Sequence, residues 1–137
     1  MDYSYVVVAL TGLVVIGYAG FYFDSGEVYG VDYVVNNSGK LEGSTITVKG
    51  EVLRGPKVCT QMFCMEDNPC CNSCSASVKL KQEKEIKLTG KDPGCSGTNC
   101  ALNCTPATGK KYLVTGKIKV KSGNTLLKVE TFKEAAK

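Results

Sequence analysis

The chain has 137 residues, a formal net charge of +4, eight cysteines, and neither histidine nor tryptophan. With no histidine, no Gly-x-Ser-x-Gly and no phosphate loop, no catalytic set can be assembled, so an enzyme is not expected and no cofactor is expected. The length leaves room for one small domain with a marginal core, because small domains bury a smaller share of their surface.

The first element is apolar. No charge occurs from Tyr3 to Phe23, and the run Tyr5–Phe23 would make a helix of about 28 Å, close to the hydrocarbon thickness of a bilayer. Tyr3 and Tyr5 stand at one end and Phe21, Tyr22 and Phe23 at the other, which suits the two lipid–water interfaces. A cleaved signal peptide would carry a basic leader and a small-residue exit; Asp2 is the only charge ahead of the run. Residues 1–23 are therefore expected to be a single uncleaved transmembrane anchor. No Lys or Arg precedes Lys40, so the positive-inside rule is nearly silent. The cysteines place the C-terminal bulk outside the cytoplasm, where disulfides persist.

Residues 24–40 read as a stalk, with Gly26, Gly30, Gly39 and an Asn36–Gly39 turn, although Val28–Val35 is apolar enough to pair as an edge strand. Asn36-Asn37-Ser38 and Asn103-Cys104-Thr105 fit the N-glycosylation sequon.

From Leu41 onward the apolar period is two. Ile46, Val48 and Val52 share one face, interrupted at Gly50 as by a bulge or bend. Ala76, Val78 and Leu80, then Ile86 and Leu88, predict a hairpin turning at Gln82–Lys84. Tyr112, Val114, Ile118 and Val120, then Leu127 and Val129, predict a second hairpin turning at Ser122–Asn124. The tail from Phe132 is expected to add a turn of helix. Two irregular segments separate these strands: a cysteine-rich loop at Arg54–Cys74, and Lys91–Lys111.

All eight cysteines, Cys59, Cys64, Cys70, Cys71, Cys74, Cys95, Cys100 and Cys104, lie in these two segments and the strand ends beside them. Four structural disulfides are expected from an even count in a small exported domain. Adjacent Cys70 and Cys71 should take different partners. The cysteines fall into groups of five and three, so at least one bridge must join the groups. Metal is the competing reading, but only Cys71-Asn-Ser-Cys74 has knuckle spacing. The same pair could be a redox dithiol, without a strand-before, helix-after setting. No metal site is expected.

The strand order is one, then a hairpin, then a hairpin, with an excursion between strands three and four. Over Leu41–Phe132 this resembles a five-stranded OB-like Greek-key barrel. It is similar in plan to the extracytoplasmic OB domains of the CcmE-like haem chaperones and of netrin-like proteins. The resemblance to the first does not extend to haem attachment, which uses a histidine that this chain lacks. The expected fold is thus all-β, with a small β-sandwich as alternative, for a disulfide-rich domain at 41–137.

All 17 basic residues lie at or after Lys40, with nine of the 13 acids, a net +8. Lys117, Lys119 and Lys121 alternate with core residues and form one outward face, suited to anionic lipid headgroups or an acidic partner. Rings for base stacking are scarce there, and nucleic acid is not an expected partner. In OB folds the loop between strands one and two commonly lines the ligand site, which singles out Met62, Phe63 and Met65 beside the cysteines, with packing beneath the loop as the equal alternative. The function expected is a single-pass, cell-membrane-anchored extracytoplasmic binding or assembly module, with the bilayer and an envelope protein as partners. A metal-carrying or electron-transfer protein and a pilin-like filament subunit are the alternatives.

Overall fold

The computed structural model describes residues 26–136, and the expected anchor lies outside them. Among the described residues no helix is long and apolar enough to cross a membrane. The chain forms β1 (Val28–Gly30), α1 (Val31–Asn36), α2 (Ser38–Leu41), β2 (Thr45–Cys59), β3 (Ser73–Lys81), β4 (Glu85–Thr89), β5 (Gly94–Thr98), β6 (Leu102–Thr105), β7 (Lys111–Lys121) and β8 (Asn124–Glu134). The class is all-β: a single mixed sheet holds all eight strands.

Pairing follows from alternation. Val48, Val52, Val78, Leu80, Ile86, Leu88, Val114, Ile118 and Leu127 are the inward residues and are buried together. β2 is antiparallel to β7 over Thr45–Glu51 and to β3 over Glu51–Cys59. β3 turns into β4, β7 turns into β8, and β4 runs parallel to β8. The pairings therefore return on themselves, β2–β3–β4–β8–β7–β2. Both expected hairpins form. The turn between β7 and β8 puts Ser122 at φ 51° and Gly123 at φ 76°, the left-handed pair that matches strand twist in two-residue loops.

Three segments differ from the expectation. The segment Lys91–Lys111, expected to be irregular, instead contains the β5–β6 hairpin, which extends the sheet from β3. β2 continues through Cys59, so the expected loop from Arg54 shrinks to residues 60–72. The tail continues β8 to Glu134 rather than turning helical.

The stalk is corrected from Val28 onward, as is the edge strand at Val28–Val35. Only Val28–Gly30 is strand, parallel to Thr47–Lys49 of β2. Val31 and Val34, three apart on α1, face one way and are fully buried in the core. Asp32 fixes the helix to the β3–β4 turn: its Oδ1 accepts from the Lys84 N–H at 2.8 Å, and its own N–H donates to Gln82 Oε1 at 3.2 Å. The end of α2 joins β7 through Gly43 N–H to Ile118 O, 2.8 Å, and Ile118 N–H to Ser44 O, 2.9 Å.

Gly50 is not a bulge. It pairs in register with Tyr112, and its missing side chain admits α1, since a Cβ there would lie 2.7 Å from Val31 Cγ2. The β2 irregularity falls instead between Arg54 and Lys57, where Pro56 has no N–H to give the ladder.

Replacing Val31 or Val34 by Ala removes two buried methyl groups and should cost about 2 kcal/mol each, at ~0.8 kcal/mol per buried methylene plus a cavity term. Urea unfolding checks this; a midpoint unmoved by both substitutions would return the segment to a stalk.

Candidate functional site

The end of β2, the start of β3 and the β5–β6 hairpin form a lobe with little aliphatic filling. Cystine takes that place. All eight cysteines are paired: Cys59–Cys74, Cys64–Cys71, Cys70–Cys100 and Cys95–Cys104. Cys59 and Cys74 are directly opposite across β2 and β3, and Cys95 and Cys104 across β5 and β6. Cys74 and Cys95 are buried, with Ala76 and Leu102 packed nearby. Cys70 and Cys71 take separate partners, and Cys70–Cys100 is the one bridge joining the two groups.

Pairing every thiol leaves no thiolate for a metal, and Cys71 and Cys74 are not bonded to each other. Among the described residues no group of three or more His, Cys, Asp or Glu side chains could hold a metal ion.

The bridges converge on residues 60–72. Cys59–Cys74 closes the loop at its base, Cys64–Cys71 across its middle, and Cys70–Cys100 fastens it to the β5–β6 turn. Two asparagines complete the frame. Asn72 Oδ1 accepts from the Met62 N–H at 2.6 Å, and its Nδ2 donates to Met62 O at 3.1 Å. Asn99 Nδ2 donates to Pro69 O at 2.8 Å, and its Oδ1 accepts from the Asn72 N–H at 3.1 Å. Neither asparagine was marked by the sequence. Each adjoins a cysteine, which is the local signal available, but the partners lie ten to thirty residues away.

This frame holds its apolar residues in solvent. Met62 is 55% exposed, Met65 73% and Phe63 fully exposed, and Val58 at the end of β2 is 67% exposed. The three loop residues expected as a binding surface are thus all exposed on the same loop and do not pack under it. Glu66 and Asp67 are the loop's only charges.

Lys117, Lys119 and Lys121 are exposed on β7, toward the β7–β8 turn, and they do not adjoin the loop. Lys121 also lines a shallow groove of about 580 Å³ across the outer sheet, with Lys79 and Lys87. Lys79 is ion-paired to Glu85 there at 2.6 Å. Near the chain entry Tyr29 stacks on Tyr33, ring centres 5.2 Å apart. Its hydroxyl donates to Glu27 Oε2 at 2.9 Å, and that hydrogen bond holds the phenol pKa above its ordinary value.

No protein-family model matches this chain, and no curated protein is similar to it at a significant level.

The isolated protein should have no free thiol and an intact mass about 8 Da below the reduced chain, two hydrogens lost per bridge. Replacing Cys70 and Cys100 together by Ala should cost on the order of 3.5 kcal/mol, from the chain-entropy model at a separation of 30 residues. Ellman titration under denaturant and thermal melts test both; stoichiometric zinc or a titratable thiol pair would contradict the pairing.

Proposed function

We propose that the chain is a single-pass membrane protein whose extracytoplasmic domain binds a protein partner, as an accessory subunit of a membrane complex. The five strands of the closed circuit form an OB-like Greek-key barrel in this reading. The return of β2–β3–β4–β8–β7 on itself supports it, as does the position of the β5–β6 hairpin between β4 and β7, the third and fourth of these strands in chain order. Four disulfides fit an oxidising compartment, and the uncharged run Tyr3–Phe23 fits an anchor.

The observation that carries the reading is Phe63. A fully exposed ring on a loop fixed by three disulfides and two asparagines has already lost most of the freedom that binding would otherwise remove. Aromatic anchors of this kind dominate protein interfaces, where they fill a pocket on the partner. The acidic neighbours Glu66 and Asp67 favour a protein pocket over anionic lipid. The metal and electron-transfer alternative loses its ligands, since all eight sulfurs are spent in bridges.

A photo-crosslinking residue at position 63, in the native membrane, should give one discrete adduct that the same residue at exposed Glu130 does not. Phe63→Ser should abolish stable association while changing domain stability by no more than about 0.5 kcal/mol, as surface substitutions do. A lowered melting temperature with association intact would return the loop to a packing role.

A further inference from the structure

The register fixes which end of the domain adjoins the chain's entry. Val28 pairs with Thr47 in parallel, and Gly26 lines a surface pocket together with Thr47 and Thr115. The chain therefore enters beside the start of β2. The disulfide-tied loop leaves the other end of β2, and Thr47 to Cys59 is about 40 Å of strand at ~3.3 Å per residue.

The β7–β8 hairpin extends past the entry. Lys117 pairs with Thr45, and β7 runs four residues further to Lys121, about 13 Å beyond that level. Lys119 and Lys121 lie on this overhang and Lys117 at its base, and Lys128 pairs opposite Lys117 on β8. All four are exposed, and none is in a salt bridge among the described residues. Glu42 lies beside this strand, its Oε1 accepting from the Val120 N–H at 3.3 Å. The exposed apolar residues at this end are Val28 and Tyr33, 48% and 52% exposed, with Tyr29 stacked on Tyr33.

The apolar run ends at Phe23, three residues before Gly26, a stretch that reaches about 10 Å at most. The headgroup zone of a leaflet is about 5–7 Å deep. An overhang of about 13 Å from the level of entry therefore meets the headgroups of the bilayer that the run would span.

We infer that the domain stands on its own membrane by the β7–β8 overhang, with Lys117, Lys119 and Lys121 on anionic lipid headgroups, Val28 and Tyr33 at the interface, and the Phe63 loop at the membrane-distal end. The inference rests on the anchor reading above and adds an orientation to it. Each lysine near an anionic surface favours contact about fivefold, from roughly 1 kcal/mol per charge. Tyrosine favours the headgroup level for its amphipathic ring. Glu27, Asp32 and Glu42 lie on the entry side, where Lys117, Lys119, Lys121 and Lys128 outnumber them; the opposite end carries Glu66 and Asp67 with no lysine in its loop.

The test uses the full chain in vesicles of phosphatidylcholine alone or with phosphatidylglycerol, footprinted by an impermeant amine-acylating reagent. Labelling of Lys117, Lys119 and Lys121 should fall severalfold in the phosphatidylglycerol vesicles only, with Lys57 unchanged. Salt at about 1 M, where the Debye length is about 3 Å, should restore it. Because the chain has no tryptophan, Tyr33→Trp and Phe63→Trp are clean single reporters. Brominated lipid should quench the first and not the second. Equal lysine labelling in both vesicles, from a protein that survives an alkaline wash, overturns the orientation and leaves the anchor standing. Quenching of Phe63→Trp as strong as of Tyr33→Trp also overturns it. Removal of the protein by the wash overturns the anchor itself, and the orientation with it.

Discussion

The parallel pairing of β4 with β8 is the constraint on which the rest depends. It joins Lys87–Thr89 to Leu126–Lys128 and turns a row of strands into a circuit. No hairpin can make such a pair, because a parallel partner must return by a long connection. Here that connection contains β5, β6 and β7. Closing it buries Leu88 and Leu127 together with the inward residues of β2, β3 and β7. It also removes two edges that would otherwise present unpaired backbone. The N-terminal segment then has a core to enter, and Val31 and Val34 fill it where Gly50 leaves space.

The lobe beyond the circuit follows a different economy. Its hairpin is short and rich in Gly, Ser, Thr and Asn, so it buries little aliphatic surface. Cystine supplies both packing and cross-linking there, the usual solution where a domain is too small for a sufficient core. The arrangement has a functional consequence. Bridges that restrict the unfolded chain stabilise the lobe without needing the loop's own side chains inside it. Phe63, Met62 and Met65 are thereby free to face solvent.

Exposed apolar side chains lie at both ends of the domain, and the exposed lysines of β7 lie at one of them. The overhanging hairpin carries lysines, and the chain entry carries two tyrosines together with Glu27, Asp32 and Glu42; the disulfide-tied loop carries two acids and a bare phenylalanine. In the proposed reading, the lysine-bearing end meets the lipid surface and the loop end, turned outward, meets a protein pocket. Asn72 and Asn99 set the path of the loop at its disulfide-tied end. They fix Met62 and Pro69 by backbone hydrogen bonds, so the loop has one shape before anything binds.

The sequence alone determined the all-β class, both hairpins and their turns, the inward residues of five strands, the separate partners of Cys70 and Cys71, and the need for a bridge between the two cysteine groups. Each is a local or counting property: a period of two, a turn residue, an odd number in one group. Met62, Phe63 and Met65 were also legible as candidates, because apolar residues beside cysteines in a loop are conspicuous. Their exposure was not, since the same residues could have packed beneath the loop until Asn72 and Asn99 set its path. The pairing itself, the β5–β6 hairpin and the burial of Val31 and Val34 were decided only by the tertiary structure. Four-residue β6 and six-residue α1 are too short to show a period, and two valines three apart identify a buried face only when a glycine on another strand leaves room for it.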